Sequence, residues 1–218
     1  MLVFDLDDTL YLERDFAFSG YDHLEGWMRS RVGRNGFGRT CEHLFKSGER
    51  RRIFNRACAH LGIEDTTELI AELVDEYRNH PPRIELCPDA QRFLQTHQGP
   101  FGLITDGPEP MQRAKIAALG VDRLIEHLCP TGAWPEGYGK PHPRAYELME
   151  RLAADHQQMV YVADNPAKDF VTPKARGWLT VQIERPGGVH APNAPDEEHA
   201  AAVRITSLDE LDALISSI

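Results

Sequence analysis

The chain has 218 residues, 41% hydrophobic and 27% charged, a balance that excludes collagenous, disordered and disulfide-scaffold proteins. At roughly 150 residues per domain it makes one domain or one and a half, long enough to bury a core without a disulfide or metal staple. Lys and Arg number 24 against 34 Asp and Glu, and the resulting formal charge of −10 argues against sequence-independent binding to nucleic acid.

The opening MLVFDLDDTL carries neither the basic stretch nor the apolar run of a secretory leader, and nowhere do about 18 apolar residues run together. A cytoplasmic protein with no membrane association is expected. Residues 2–6 form the first apolar, β-rich run, and Phe101–Thr105, 159–163 and 178–183 are the others. Their near-continuous apolar character suits strands covered on both faces, as in a parallel sheet. From about 16 to 79 there is no convincing strand, only helical apolar spacing broken by a glycine-rich loop at 33–38, and Pro81-Pro82 marks a boundary. Residues 16–79 are therefore expected to form a helical insert, with 1–15 and 80–218 as the α/β domain.

Further along, Met111, Ala114, Ala117 and Ala118 give a helical apolar stripe capped by Gly120, and Tyr146, Leu148, Met149 and Leu152 fall in another helix. Residues 184–200, rich in Pro, Gly and acids, read as a surface loop. Ser207 to Glu210 reads as a capping box opening a last helix through Leu208, Leu211 and Leu214. Alternating strands and helices predict an α/β fold with a parallel sheet. Cys41, Cys58, Cys87 and Cys129 include no C-x-x-C pair, and the histidines include no H-x-x-x-H pair, so reduced thiols and no structural zinc are expected.

The chemistry gathers where strands end. Residues 2–6 run into Asp5, Asp7, Asp8 and Thr9, and carboxylates so crowded need a cation, solvent or protons. Phe101–Thr105 ends in Thr105-Asp106-Gly107, which offers a hydroxyl and backbone donors. The run 159–163 leads into Asp164 and Asp169. Between them, Lys140 sits between Gly139 and Pro141 in a loop stiffened by Pro141 and Pro143. Ligands of open α/β sheets bind at this edge.

These motifs resemble those of the haloacid dehalogenase-like hydrolase superfamily: Asp5-x-Asp7-x-Thr9 its first, Thr105 its second, Lys140 its third, and Asp164 with Asp169 its fourth. Ala163 stands where the fourth motif usually has Gly. The resemblance implies a doubly wound, Rossmann-like core with a small α-helical cap. It further implies Mg²⁺-dependent hydrolysis of a phosphomonoester, with Asp5 as the nucleophile that becomes an aspartyl-phosphate and Asp7 as acid and base. Asp5, the carbonyl of Asp7, Asp164 and Asp169 would hold Mg²⁺, and Thr9, Thr105, Asp106, Gly107 and Lys140 form the implied phosphate-binding set. Dehalogenases of the superfamily lack the second acid of the first motif, so Asp7 favours phosphate chemistry.

A small cap points to a small phosphorylated metabolite, a sugar phosphate or nucleoside monophosphate, acted on by a monomer or homodimer. The rivals are a phosphomutase of the same superfamily and a non-catalytic phosphometabolite-binding protein. Between Arg29 and Arg56, nine basic residues oppose only Glu42 and Glu49, leaving that stretch at +7 and the remainder at −17. Most of these arginines are expected on a solvated helix face, with Ile53, Phe54, Ala57 and Leu61 turned inward. The loop at 33–38 follows no strand and is expected to be a flexible cap loop rather than a phosphate cradle. Tyr11, Glu13 and Trp27 are secondary candidates for substrate contacts.

Overall fold

A computed structural model describes residues 1–153 and 158–215 of the chain. The chain forms two compact units, one made of Met1–Glu13 with the chain from Glu85 onward, the other of Arg14–Ile84. The larger unit is built on a parallel sheet whose described strands are β1 (Leu2–Phe4), β2 (Phe101–Thr105), β3 (His127–Pro130), β4 (Val160–Ala163), β5 (Leu179–Ile183) and β6 (Val203–Ile205). Their spatial order is β3-β2-β1-β4-β5-β6. The chain steps outward from β1 to β3 and then returns to lay β4 on the other side of β1, which is a doubly wound topology. Leu2 pairs with Phe101 on one side and Val160 on the other, so three residues suffice for a strand embedded between two neighbours.

Every residue of β2 and β4 is buried, as parallel strands covered by helices require. The strands β3 and β6, absent from the sequence expectation, lie at the two edges of the sheet. They are short and half-exposed, and therefore carry polar residues such as His127 and Arg204 that weaken an apolar signal. The first strand also stops at Phe4 rather than at residue 6, because Leu6 turns the chain, its carbonyl accepting from Thr9 and Leu10 N–H.

The second unit consists of α1 (Glu13–Val32), α2 (Phe37–Lys46), α3 (Ile53–Leu61) and α4 (Thr67–Asn79). The inward face of α1 carries Ala17, Tyr21, Leu24 and Met28, which cluster with Phe37, Cys41, Ala57, Cys58 and Leu73. Ile53, Phe54, Leu61 and Trp27 pack against this cluster, while Arg52 and Arg56 are exposed. The division between units falls after Glu13 and Ile84 rather than after 15 and 79. The helix α1 runs unbroken through the first junction, and the segment beyond α4 stays tied to α1: His80 Nε2 lies 3.1 Å from Ser19 Oγ, which also accepts the Arg83 N–H at 2.8 Å.

The glycine-rich loop is not open. Glu25 accepts the N–H groups of Gly36 at 2.6 Å and Gly38 at 2.7 Å, so this carboxylate, rather than a phosphate, occupies the amides. Gly38 is required there, since a Cβ would lie 2.2 Å from the Tyr21 carbonyl oxygen. Among the basic residues, Arg31 pairs with Glu72, Lys46 with Glu42 and Arg56 with Glu49, and Arg50 lies 3.9 Å from the Phe45 ring centroid.

In the larger unit the sheet is flanked by α5 (Pro88–Thr96), α6 (Glu109–Leu119), α7 (Arg144–Leu152), α8 (Val171–Ala175) and α9 (Leu211–Ile215). Tyr146, Tyr161 and Trp178 meet edge to face at 5.4 to 6.5 Å in the core. The capping box at Ser207 forms, opening a 3-10 turn, Leu208–Glu210, ahead of α9. The apolar stripe expected on α6 is a correction: the residues it buries are Gln112, Lys115, Ile116 and Leu119, and Ala117 and Ala118 are exposed. That face carries two polar side chains because part of it borders the acidic strand ends, where the first turns of the helix meet Asp7.

Candidate active site

Because the sheet is parallel, the carboxyl ends of β1, β2 and β4 share one edge, and the predicted residues converge there. Asp5 follows β1 and keeps its backbone in register by donating to Val162 O at 2.9 Å. Asp164 follows β4 directly. Asp169 is carried by the next turn, which closes when its N–H donates to Asn165 O at 3.1 Å and its Oδ2 accepts from Asn165 N–H at 3.1 Å. One carboxylate oxygen each of Asp5, Asp164 and Asp169 lies within 4.8 Å of the others. Lys140 Nζ, with its side chain wholly buried, sits 2.6 Å from Asp5 Oδ1, 2.8 Å from Asp169 Oδ1 and 3.1 Å from the Tyr161 hydroxyl. The Lys140–Asp169 contact is an ion pair without hydrogen-bond alignment, so Asp169 Oδ1 keeps a lone pair for another partner.

Burial pushes Asp5 up to about 6, with Lys140 opposing and Asp169 adding to the rise. Asp164 is pushed up to about 9 by burial and by the charges of Asp5 and Asp169. Burial alone would lower Lys140, yet Asp169 and Asp5 hold it well above the ordinary lysine range. Lys140 thus pairs directly with two of the three carboxylates, and the charge of Lys168 also reaches Asp5. An oxygen-only donor set with surplus negative charge fits a hard divalent cation of the magnesium class.

Asp7 is not part of this triad. Its Oδ1 takes the Lys115 ammonium at 2.7 Å and the Tyr11 hydroxyl, and Gln112 Nε2 reaches its Oδ2 at 3.4 Å. Burial would raise Asp7, but the Lys115 charge and the hydrogen bonds from Lys115, Tyr11 and Gln112 hold it below the usual carboxylate range. Lys115 and Gln112 escape a reading based on apolar periodicity. The recoverable signal was their spacing of three, which puts both on one helix face together with Ile116 and Leu119. Tyr11, a candidate substrate contact from the sequence, is fully buried and spends its hydroxyl on Asp7.

The side chain of Asp106 is engaged within the protein. Its Oδ1 accepts from Thr131 Oγ1 at 2.6 Å and Lys140 N–H at 3.1 Å, and its Oδ2 pairs with Lys168 at 2.9 Å. The carboxylate therefore joins the loops after β2, β3 and β4, with only its backbone left to face a ligand. Lys168 and Thr131 are further site residues that the sequence did not flag.

Thr105 Oγ1 and Thr9 Oγ1 are buried without a hydrogen-bond partner among the described residues, which leaves both hydroxyls able to serve a bound oxygen. The remaining expected residue, Gly107, adopts φ +123°, and a Cβ there would meet Gln112 Nε2 at 2.7 Å. Asp8 is taken up structurally, accepting from Glu13 N–H at 2.9 Å and Val189 N–H at 2.7 Å. A cavity of about 300 Å³ opens beside Asp164, lined also by Asp8, Gln182, Arg185 and His190.

Fold and site together define an α/β protein with a cation-competent acidic centre at the switch point of a doubly wound sheet. Residues 1–175 match the haloacid dehalogenase-like hydrolase family, and the chain belongs to it. A curated relative, the glyceraldehyde 3-phosphate phosphatase of Methanocaldococcus jannaschii, is 29% identical over 119 residues, covering 54% of this chain and 50% of that protein. The chain thus matches about half the length of this relative. Among solved structures, a provisional β-phosphoglucomutase of Thermotoga maritima superposes with a TM-score of 0.70 at 17% identity, covering 100% of this chain and 99% of that one. The L-2-haloacid dehalogenase of Xanthobacter autotrophicus gives 0.64 at 18%, covering 100% and 98%. At such identities these likenesses speak to the fold.

Proposed function

We propose that the protein is a Mg²⁺-dependent phosphatase acting on a small phosphomonoester through an aspartyl-phosphate. The observation that carries this reading is the buried cluster of Asp5, Asp164 and Asp169 balanced by Lys140. The phosphatase relative supports a small phosphorylated metabolite as substrate. Asp5, Asp164 and Asp169, with the carbonyl of Asp7, would hold the cation, whose charge lets a carboxylate approach an anionic phosphoryl group.

Asp5 attacks phosphorus, forming an O–P bond as the bond from phosphorus to the leaving alcohol oxygen breaks. Asp7 gives a proton to that oxygen, then takes one from the water that hydrolyses the phosphoryl-aspartate, releasing inorganic phosphate and restoring Asp5. Lys140 holds Asp5 in place and offsets charge on the phosphoryl oxygens, while Thr105 Oγ1 and nearby amides bind them. The helical unit Arg14–Ile84 takes the substrate-selecting role of a small cap.

The test is phosphate release from an aryl phosphate and a panel of phosphorylated metabolites, in Mg²⁺ and in EDTA, beside Asp5→Asn. Release that needs both Mg²⁺ and Asp5 is expected. A panel with no Asp5-dependent release on any compound overturns the reading.

A further inference from the structure

Gln182 in β5 and Arg185 just beyond it are buried side chains that each keep one polar atom unused. Gln182 is wholly buried. Its Nε2 donates to Pro192 O at 2.8 Å and reaches Asp164 O at 3.4 Å, and its Oε1 meets no donor among the described residues. The Arg185 side chain is 6% exposed, with Nε donating to Thr9 O at 2.6 Å and Nη1 to Asp89, and its Nη2 meets no acceptor among the described residues. An orphaned acceptor and an orphaned donor each forfeit hydration without a return inside the chain. Both residues line the cavity of about 300 Å³ beside Asp164. The loop that carries Gly188 and His190 past it is tied down, since Val189 N–H donates to Asp8 Oδ2 at 2.7 Å and Gly188 N–H to Arg185 O at 3.0 Å.

We propose that this cavity is a subsite for the non-reacting end of the substrate, and that it selects a neutral, hydroxylated carbon chain, a polyol or open-chain sugar, through Gln182 Oε1 and Arg185 Nη2. The inference rests on the phosphatase reading above and narrows its substrate class. Asp164 belongs both to the cavity and to the acidic triad, so the subsite adjoins the reacting centre. The charge of Arg185 is already met by Asp89, and what it has left to offer is a hydrogen bond. A hydroxyl both donates and accepts, and neighbouring hydroxyls on one chain answer the two orphaned atoms together. A carboxylate or a dianionic phosphate answers Arg185 alone, brings no proton to Gln182, and stands beside the acids Asp164 and Glu184 of the same lining. A nucleobase is held by stacking on aromatic rings, and no Phe, Tyr or Trp is among the lining residues. The volume is at the lower end of small-molecule pockets, which suits a chain of a few carbons.

Two esters of equal length separate recognition from chemistry. Glycerol 3-phosphate and propyl phosphate both release a primary alcohol and differ in their hydroxyls. The wild type is expected to favour glycerol 3-phosphate by about tenfold or more in kcat/KM, and Gln182→Met to reduce that preference to less than about threefold. Damage to the fold or to the cation centre lowers both esters together and leaves their ratio in place. Should Gln182→Met not fold, His190→Trp, at a side chain 43% exposed, narrows the cavity instead. That variant is expected to lower kcat/KM for erythritol 4-phosphate relative to methyl phosphate by about tenfold. Equal rates of the wild type on the two three-carbon esters, or a ratio that survives in the folded variant, overturn the proposal while leaving the phosphatase reading intact. A nucleotide or a carboxylated phosphate as the best substrate overturns it in the same way. If no compound gives Asp5-dependent release, the phosphatase reading fails first and the subsite goes with it.

Discussion

Lys140 Nζ lies 2.6 Å from Asp5 Oδ1 although the two residues are 135 positions apart, and the Lys140 side chain sits at zero exposure between Asp5 and Asp169. Replacing it with Met leaves buried carboxylates without their counter-charge. Lys140→Met should cost the metal-free fold about 3–5 kcal/mol and lower phosphate release by about 10²-fold or more. Urea unfolding in EDTA, beside phosphate release in Mg²⁺, reads both. Full stability with lost activity would show that Lys140 serves the substrate alone.

Asp164 predicts the opposite sign in the metal-free protein. Its carboxyl, pushed up to about 9 in the fold, ionises near 4 in the unfolded chain. A raised folded value contributes stability that is complete below about pH 4 and is lost as the pH climbs through 9. Asp164→Asn should therefore raise Tm in EDTA at pH 8, with the gap closing toward pH 4. Adding Mg²⁺ should raise Tm of the wild type and not of the variant. A variant that still gains from Mg²⁺ would remove Asp164 from the ligand set.

Thr105 separates binding from folding. Its buried hydroxyl has no partner among the described residues, so the isosteric Thr105→Val removes an unsatisfied group. Stability should hold or rise by about 1 kcal/mol while kcat/KM falls. A Tm scan beside the kinetics decides the matter: a destabilised variant would mean that the hydroxyl has a structural partner.

Asp89 supplies a prediction for a carboxylate outside the acidic triad. Its carboxylate accepts Leu208 N–H at 2.7 Å and is gripped by Arg185 Nη1 at 3.0 and 3.1 Å. Burial opposes its ionisation, but the Leu208 amide and Arg185 hold it below the usual range. Such a depressed value contributes stability above about pH 4 that is lost as the pH falls through the folded value. Asp89→Asn should cost about 2 kcal/mol at pH 7, with the difference narrowing below pH 4. Chemical denaturation across pH measures it, and a pH-independent cost would assign the loss to packing.

Much of the framework could be read directly from residue order. Phe101–Thr105 is an uninterrupted apolar run, and the structure makes it the fully buried strand β2. Gly120 caps α6 in the left-handed region as its position suggested. The acids of β1 and β4 stood out because they follow apolar runs directly. What escaped were groups whose role depends on the tertiary neighbour. Lys115 and Gln112 look like surface residues until α6 is laid beside Asp7, and residue order does not reveal that Thr131, Lys168 and the Lys140 amide claim both carboxylate oxygens of Asp106. Apolar periodicity cannot find a helix face that is buried against charge. Edge strands escape for a related reason, since among the described residues β3 and β6 each have one strand neighbour and tolerate polar residues.

The central place of β1 also has a kinetic meaning. Asp5 leaves a strand three residues long whose partners, β2 and β4, begin about 100 and 160 positions later. Helical turns close over short loops, but this strand is secured only when most of the chain has been laid down and paired. Ellipticity will therefore return early when the unfolded protein is diluted into buffer, and the Asp5–Lys140 contact will be among the last to form. Catalytic competence is thus a sensor of completed topology, silent in any state that has its helices but not its sheet.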